Sequence, residues 1–323
     1  MICLGPTPLS GIGQLVSKYA KLLNTKYYVL GSEPIPRDQD VFIFALPIDG
    51  WLEAIPIIKQ VSKRVICMTI CETETVHPVY GKLFDLFDEI AVSSEFCKRV
   101  FERQFPNKKF FLIHAYVPPI ITRELNIDFG IRSDAYKFYH IGNIVDYRKN
   151  TKQLIEAFLR NNFENAQLIL KATCNQPVNW NIPNVVVING LIPDEQLEQF
   201  HFQCDCYVSS SFSEGIGMGA IEAALHDKPV IITEYGGAVE YIKTPYTVRC
   251  DRQTLPCDDF LFQKGMEWGK PDFEQLMGFM KEVYNNKIKH MDHSHTKQIT
   301  SKENILKQFG VDVVGKVNNE TCQ

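Results

Sequence analysis

The sequence lacks the features that direct a chain to a membrane, a nucleic acid or an export route. Its 323 residues carry a formal net charge of −4, so there is no basic excess for nucleic acid. The apolar stretch at residues 40–58 is interrupted by Asp49, Glu53 and two prolines, and no basic start precedes an apolar core at the N-terminus. We therefore expect a soluble, cytoplasmic protein without a transmembrane segment, for which peripheral membrane contact stays open.

Metal-ligating patterns are also scarce. The ten cysteines include no CxxC pair, and we expect them to be reduced and mostly buried in packing. His290, His293 and His295 form an HxxHxH pattern, but no carboxylate or cysteine supports it, so we expect exposed histidines here. The sequence predicts no metal site and no cofactor.

What the sequence does contain is a regular alternation of short β-branched or aromatic runs with amphipathic helical patterns. This order is typical of α/β proteins with parallel sheets. It is interrupted once, at residues 121–136, which we interpret as a linker. The runs before the linker are MICL, YYVL, VFIFAL, RVICMTI, EIAVS and FFLIHA, and the runs after it are KFYHIG, AQLILKA, NVVVING, CDCYVSS and PVIIT.

Two Rossmann-like domains follow from this alternation, at residues 1–120 and 137–270. A late amphipathic helix is predicted at about residues 271–287, and residues 288–323 read as a loose polar tail. Ligands of open parallel sheets bind beyond the carboxyl ends of the strands, so we searched the loops that follow the strands.

The first such loop, GPTPLSGIG, ends at Gly11 and Gly13, where a helix is predicted to begin. Glycines here would let the backbone approach a phosphate closely. The third glycine of a dinucleotide-binding fingerprint is missing, and a simple turn explains the pattern equally well.

In the second domain, Arg148 and Lys149 lie between a strand and a helix. Adjacent cations in such a loop can neutralise a diphosphate. The alternative is a solvated charge pair without function, which would be the better interpretation of an isolated pair.

The most informative stretch is SFSEGIGMGAIEAALHDKPVI, in which Glu214 and Glu222 bracket a glycine-rich turn that opens a helix. Carboxylates are suited to accept hydrogen bonds from the paired hydroxyls of a sugar. Along a helix, Gly217 and Glu222 would be about 7.5 Å apart, so the two carboxylates can reach different parts of one ligand. A helix cap plus a surface glutamate explains Glu214 but not the glycines.

These residues carry a family resemblance. The segment SEGIGMGAIEAALHDKPVIIT resembles the Glu, seven residues, Glu signature of retaining GT-B glycosyltransferases of the glycosyl transferases group 1 (family 4) type. The similarity extends to IGNIVDYRKNTKQLIEAF, to the segment preceding Glu214, and more weakly to SGIG. It implies an α/β fold of GT-B type, with two Rossmann-like domains facing a central cleft. It also implies that the first domain holds the acceptor and that the late helix returns to it.

The resemblance also implies roles for individual residues. Glu214 would contact the donor sugar, and Glu222 would bind the ribose diol. Arg148 and Lys149 would carry the diphosphate. The other donor-binding residues would be Gly11, Gly13, Ile192, Gly215, Ile216, Gly217 and Met218.

Three departures from the family pattern affect these roles. Asn143 stands where the family often has an arginine that binds phosphate. The first domain has CETETVHP instead of the frequent His-Asp pair, which makes Glu72 a candidate catalytic residue and His77 a candidate acceptor contact. Ile216 and Gly219 replace the usual Phe and Pro of the signature.

The resemblance therefore predicts a retaining hexosyltransferase that uses a UDP- or GDP-sugar donor, without a required metal. The acceptor would be a hydroxyl of a glycan, a lipid-linked molecule or a protein. Two alternatives share the same residues, namely a GT-B-shaped nucleotide-sugar epimerase and a catalytically silent sugar-nucleotide-binding module.

Overall fold

Every run that we expected to form a strand contains one in the computed structural model, which describes residues 1–118, 127–174 and 176–310. The chain forms two units. Among the described residues, the first unit contains residues 1–118, 254–267 and 298–310, and the second contains residues 127–253 and 268–297. The α/β class and the two Rossmann-like domains are confirmed.

The first unit has one parallel six-stranded sheet, in the order β2-β1-β3-β4-β5-β6. Its strands are β1 (Ile2–Gly5), β2 (Tyr27–Val29), β3 (Asp40–Phe44), β4 (Arg64–Thr69), β5 (Glu89–Val92) and β6 (Phe110–Leu112). Its first helices are α1 (Gly11–Leu22), α2 (Asp49–Val61), α3 (Tyr80–Phe84) and α4 (Glu95–Gln104). The interrupted apolar stretch at residues 40–58 is therefore a buried strand followed by a helix.

The second unit also has a parallel six-stranded sheet, in the order β12-β11-β10-β7-β8-β9. Its strands are β7 (Tyr136–Gly142), β8 (Ala166–Ala172), β9 (Val185–Ile188), β10 (Cys206–Ser209), β11 (Val230–Thr233) and β12 (Thr247–Val248). Its helices are α5 (Thr151–Asn161), α6 (Asp194–Gln203), α7 (Met218–Leu225), α8 (Ala238–Tyr241) and α9 (Phe273–Asn285). The chain enters at β7, fills one half of the sheet, and then starts the other half at β10.

The late helix corrects one prediction. We expected it to return to the first domain, but α9 belongs to the second unit. Its buried residues Leu276, Met280 and Val283 lie in the hydrophobic core formed with β7, β8 and α5. The spacing of these residues gives α9 one apolar face, and that face is buried in this core.

The prediction of a loose polar tail is also wrong for those tail residues that the structure describes. After α9 the chain forms α10 (Ser294–Ile299) and α11 (Lys302–Gln308). In the first unit, the Gln308 side chain accepts a hydrogen bond from the His114 backbone N–H at 2.8 Å, and the Phe309 ring lies 5.0 Å from that of Phe42. Few apolar residues are sufficient to fix this segment, which is why its composition is misleading. Residues 311–323 of the predicted tail lie outside the described residues.

The predicted domain boundaries shift in two places. Residues 121–126 of the linker lie outside the described residues, and Tyr136 at its end already belongs to β7. Residues 254–267, assigned to the second domain, belong to the first unit. They connect β13 (Cys250–Thr254) to β14 (Glu267–Pro271), a two-stranded sheet that the alternation did not predict. Across the described ranges, we find no helix with the length and apolar character needed to cross a membrane.

The placement of α9 can be tested by truncating Leu276, which is fully buried. We expect Leu276→Ala to lower the free energy of unfolding by about 2–5 kcal/mol, because a cavity replaces the side chain. Lys281→Ala, at an exposed position of the same helix, should change it little. Hydrogen exchange should show faster opening of β7 and β8 in Leu276→Ala, and selective loosening of the first unit's sheet instead would contradict this placement.

Candidate active site

The candidate site lies where the strand order of the second unit reverses. Strands β7 and β10 are neighbours in the sheet, yet the helices that follow them belong to opposite halves of the fold. Loops after two such strands diverge and leave a crevice, which is the usual ligand site of an open parallel sheet. Arg148 and Lys149 lie in the loop after β7, and Glu214 lies in the loop after β10.

Glu214 joins these two loops through charge. One carboxylate oxygen lies 2.6 Å from Lys149 Nζ, and the other lies 3.1 Å from Arg148 Nη1. Ser211 donates its hydroxyl to the first oxygen at 2.7 Å. The side chains of the three charged residues are only 12–16% exposed, so this cluster is largely shielded from water.

The ionisation of Glu214 is decided by its neighbours. Burial alone would raise the pKa of its carboxyl, but the charges of Lys149 and Arg148 and the hydrogen bonds from Lys149 and Ser211 outweigh burial. The pKa is therefore held well below its usual range. Glu214 is a carboxylate that two cations and a hydroxyl already satisfy.

The backbone around Glu214 depends on two glycines. Gly217 has a φ of +80°, which few other residues adopt, and it precedes the first turn of α7. At Gly219, a side-chain β-carbon would lie 2.8 Å from the Tyr207 hydroxyl. Gly219 therefore lets α7 pack closely on β10, which is a structural reason for the glycine that replaces the usual Pro of the signature.

Glu222 is placed separately from Glu214, on α7 itself. Its side chain is 12% exposed, and its carboxylate lies 4.0 Å from His201 Nε2. His201 in turn shares a hydrogen bond of 2.8 Å with the Tyr139 hydroxyl and stacks on His226 at 4.7 Å. The two glutamates thus occupy different surroundings, as predicted from their spacing.

Comparison with known proteins finds a similar family for one part of the chain. Residues 122–248 match the family model described as glycosyl transferases group 1. Over this range the chain is similar to group 1 glycosyltransferases. No curated protein sequence matches the chain.

Solved structures extend the similarity to both units. TarM of S. aureus is 13% identical with a TM-score of 0.56, over 83% of this chain and 54% of TarM. Sucrose-phosphate synthase of Thermosynechococcus elongatus is 14% identical with a TM-score of 0.58, over 84% of this chain and 72% of that enzyme. The pneumococcal O-GlcNAc transferase GtfA is 13% identical with a TM-score of 0.57, over 92% of this chain and 59% of GtfA. The predicted GT-B fold is confirmed, and the chain spans only about half the length of TarM.

The predicted donor-binding residue Ile192 lies in the second unit, in the loop after β9. Ile192 is half-buried there, and the nearby Gly190 has a φ of +83°. The ammonium of Lys171, a buried residue near the end of β8, donates to the Gly190 carbonyl. Burial lowers the pKa of Lys171. Lys171 was missed because a lysine inside an apolar strand gives no sign that its charge turns towards the next loop.

The remaining donor-site predictions are distributed around Glu214. Ile216 is buried, and Met218 begins α7. Gly215 lies between Glu214 and Ile216. The Glu214 carbonyl accepts a hydrogen bond of 2.7 Å from the Gly237 N–H, a contact that the sequence did not suggest.

Gly11 and Gly13 lie in the first unit and differ from each other. The Gly13 N–H donates to the Ser10 side chain at 3.0 Å, so this amide is occupied by the helix cap. A side chain at position 13 would overlap the Thr7 carbonyl, which explains the glycine. Gly11 has open space around its α-carbon and remains a candidate for close approach of a ligand.

Glu72 and His77 also lie in the first unit, in the segment after β4. Glu72 is half-buried, next to Cys71. His77 Nδ1 accepts a hydrogen bond of 3.0 Å from the Val79 N–H and so stabilises the turn before α3. The structure gives His77 a local structural role, and its contact with an acceptor stays a prediction.

Of the late histidines that we expected to be exposed, His290 is exposed, but His293 and His295 are not. His293 is 2% exposed and its Nε2 lies 2.8 Å from the Lys228 carbonyl oxygen, while His295 Nε2 lies 2.8 Å from that of Glu240. These two histidines fix the start of α10 to the second unit. Over the described ranges, no cluster of three or more His, Cys, Asp or Glu side chains is arranged to hold a metal ion.

His140 is a further residue that the sequence did not single out. It lies on β7, is 1% exposed, and donates from Nδ1 to the Val208 carbonyl at 3.0 Å. Its Nε2 makes no hydrogen bond within the described part of the chain. Burial, followed by the charge of Lys149, lowers its pKa to about 4, so the imidazole is neutral at pH 7.

This neutral histidine predicts a pH dependence of stability. Since the usual pKa of histidine is about 6.5, the unfolded chain binds more protons than the folded chain between pH 6.5 and 4. The contribution of neutral His140 to the stability of the folded protein is complete above pH 6.5 and is lost as the pH falls towards 4. In urea unfolding between pH 7 and pH 5, we expect the free energy of unfolding to fall by about 2 kcal/mol less in His140→Leu than in the unmodified protein. His290→Ala, at an exposed histidine, should keep the full dependence, and equal pH dependence in all three proteins would contradict the buried neutral state.

Proposed function

We propose that this chain is a retaining glycosyltransferase that transfers a hexose from a UDP- or GDP-sugar to a hydroxyl of a glycan, a lipid-linked molecule or a protein. The observation that carries the proposal is the cluster of Arg148, Lys149 and Glu214 at the point where the strand order reverses. Two adjacent cations in a crevice of this kind support binding of a diphosphate.

The ion pairs suggest how the donor enters. Without a ligand, Glu214 is the counterion of both cations. A diphosphate carries more negative charge than a carboxylate and offers more acceptor oxygens, so it competes for Arg148 and Lys149. Glu214 is then available to the sugar hydroxyls, and the hydrogen bond from Ser211 holds its carboxylate in position. Donor binding thus exchanges one set of charge pairs for another inside a shielded site.

Charge stabilisation is then the main catalytic contribution. As the bond between sugar and diphosphate breaks, negative charge grows on the leaving group beside Arg148 and Lys149, and positive charge grows on the sugar ring beside Glu214. In the proposed retaining mechanism, the leaving diphosphate accepts the proton of the acceptor hydroxyl on the same face. The two cations take the place of a metal ion, so no metal is required.

The nucleoside half would be held by Glu222 and the loop that contains Ile192. The carboxylate of Glu222 is suited to the ribose diol. The TarM and GtfA structures are complexes with UDP, which makes UDP the first nucleotide to test. Glu72 in the first unit is proposed to act near the acceptor.

Titration calorimetry with UDP and GDP tests the nucleotide half of the site. We expect Lys149→Ala and Glu222→Ala each to weaken binding of the preferred nucleotide about tenfold, because each removes a charged contact. Lys243→Ala, which removes an exposed cation elsewhere in the second unit, is the control. Binding in the unmodified protein should persist in EDTA. Unchanged affinity in both site variants would refute the assignment of the crevice.

A second test separates the roles of the two glutamates. Glu214→Gln frees Arg148 and Lys149 from their counterion, so the free nucleoside diphosphate should bind more tightly, while turnover should fall strongly because the positive ring loses its stabilising charge. Glu222→Gln should raise the KM for the donor and leave kcat closer to that of the unmodified enzyme.

Donor-saturation kinetics with measurement of released nucleoside diphosphate provide the readout. Weaker nucleotide binding in Glu214→Gln, with intact binding in Glu222→Gln, would show that the two ends of the site are reversed. Donor turnover without any acceptor would instead favour the epimerase. Donor binding without release of nucleoside diphosphate would favour the silent binding module.

A further inference from the structure

A large cavity lies in the second unit, outside the cluster around Glu214. Its volume is about 780 Å³, within the range of about 300–1,000 Å³ that is typical of small-molecule sites. It lies between the first turns of α5, the loop after β7 and the segment at residues 179–182. The lining residues are Ile144, Val145, Asp146, Tyr147, Asn150, Thr151, Lys152, Ile155, Asn179, Trp180, Asn181 and Ile182.

The lining is amphipathic. Its apolar part includes the rings of Trp180 and Tyr147, and its polar part includes carboxylate, amide, hydroxyl and ammonium groups. Asn179 and Asn181 are exposed and make no hydrogen bond within the described ranges, so their amides can both donate and accept. Such a surface matches a ligand that has apolar faces and many hydroxyls.

The aromatic wall is already in place without a ligand. Tyr147 is 53% exposed, yet its ring lies 5.4 Å from Phe212 and 5.9 Å from Trp268. Trp180 is half-buried and packs on the core of the second unit. Rings that are held in this way bind a ligand with little loss of conformational freedom.

Charge and hydrogen bonding narrow the class of ligand. Asp146 and Lys152 are the charged residues of the lining and have opposite signs, so the cavity favours a neutral ligand over a nucleotide or a phosphate. A lipid chain would leave the amide and ammonium groups without partners, which is costly. Thr151 is 3% exposed, and its hydroxyl has no hydrogen-bond partner among the residues that the structure describes.

From these observations we infer that the cavity is a binding site for a neutral oligosaccharide. Sugar rings stack their apolar faces on Trp180 and Tyr147, and their hydroxyls bond to the amides of Asn179 and Asn181. The Tyr147–Lys149 turn separates this site from Glu214, since Tyr147 lines the cavity while Lys149 points to the carboxylate. The site is distinct from the nucleotide crevice, so this inference does not rest on the proposed transferase activity.

The test uses three neutral trisaccharides as probes, namely maltotriose, mannotriose and chitotriose. Binding is measured by calorimetry and by saturation-transfer NMR, with UDP titrated separately into the same samples. We expect at least one trisaccharide to bind the unmodified protein. Its affinity should fall about tenfold in Trp180→Ala and clearly in Asn181→Ala, while Trp180→Phe keeps most of it.

Phe260→Ala removes an exposed aromatic ring of the first unit and should leave trisaccharide binding unchanged. Asn181 is exposed, so its substitution should not disturb folding even if Trp180→Ala does. The inference is overturned if none of the three trisaccharides binds at millimolar concentration, or if binding survives both Trp180→Ala and Asn181→Ala. It is also overturned if Trp180→Ala abolishes UDP binding in a folded protein, because the cavity would then belong to the nucleotide site.

Discussion

The arrangement of the candidate site depends on one shielded ion cluster, in which the Glu214 carboxylate is shared between Arg148 and Lys149. Separating these charges inside the protein would be costly, because water is largely excluded from them. The loops after β7 and β10 are therefore tied together across the centre of the sheet. Backbone bonds add to this tie, since the Phe212 N–H donates to the Arg148 carbonyl at 2.9 Å.

The same cluster connects stability to the proposed chemistry. A carboxylate that is satisfied by two cations is stable in the absence of ligand, and the cations are kept in position for an anion of higher charge. Under the proposed function, donor binding replaces these internal partners and makes Glu214 available to the sugar. The geometry that stabilises the unliganded domain would then be the geometry that selects a diphosphate.

Aromatic packing supports this region from the other side of the loop. Phe212 precedes Glu214 closely in sequence, and its ring stacks on Trp268 at 5.3 Å. The Gly269 N–H donates to the Phe212 carbonyl at 3.0 Å, so β14 is joined to the loop that holds Glu214. Tyr147 completes the group of rings and also lines the cavity proposed to bind an oligosaccharide. Two candidate binding regions thus share one rigid turn.

Much of the fold and of the candidate site could be predicted from the sequence, because both depend on local patterns. Short apolar runs with β-branched residues are typical of the buried strands of a parallel sheet, and each predicted run contains a strand. The spacing of Glu214 and Glu222 around the glycine-rich turn was sufficient to predict that one precedes α7 and the other lies on it. Arg148 and Lys149 were identified by their position between a strand and a helix.

Tertiary structure decided what depends on contacts between distant segments. Helix α9 completes the core of the second unit because Leu276 and Met280 pack there. Their spacing predicts an apolar helix face, but it does not show which domain that face packs against. His140 and Lys171 lie in strands, where a sequence pattern predicts only core packing. Their burial beside the charge of Lys149 and the Gly190 carbonyl is visible only in the structure. The pairing of Glu214 with both cations could not be predicted from the sequence either, since Lys149 and Glu214 are 65 residues apart and only the strand order brings their loops together.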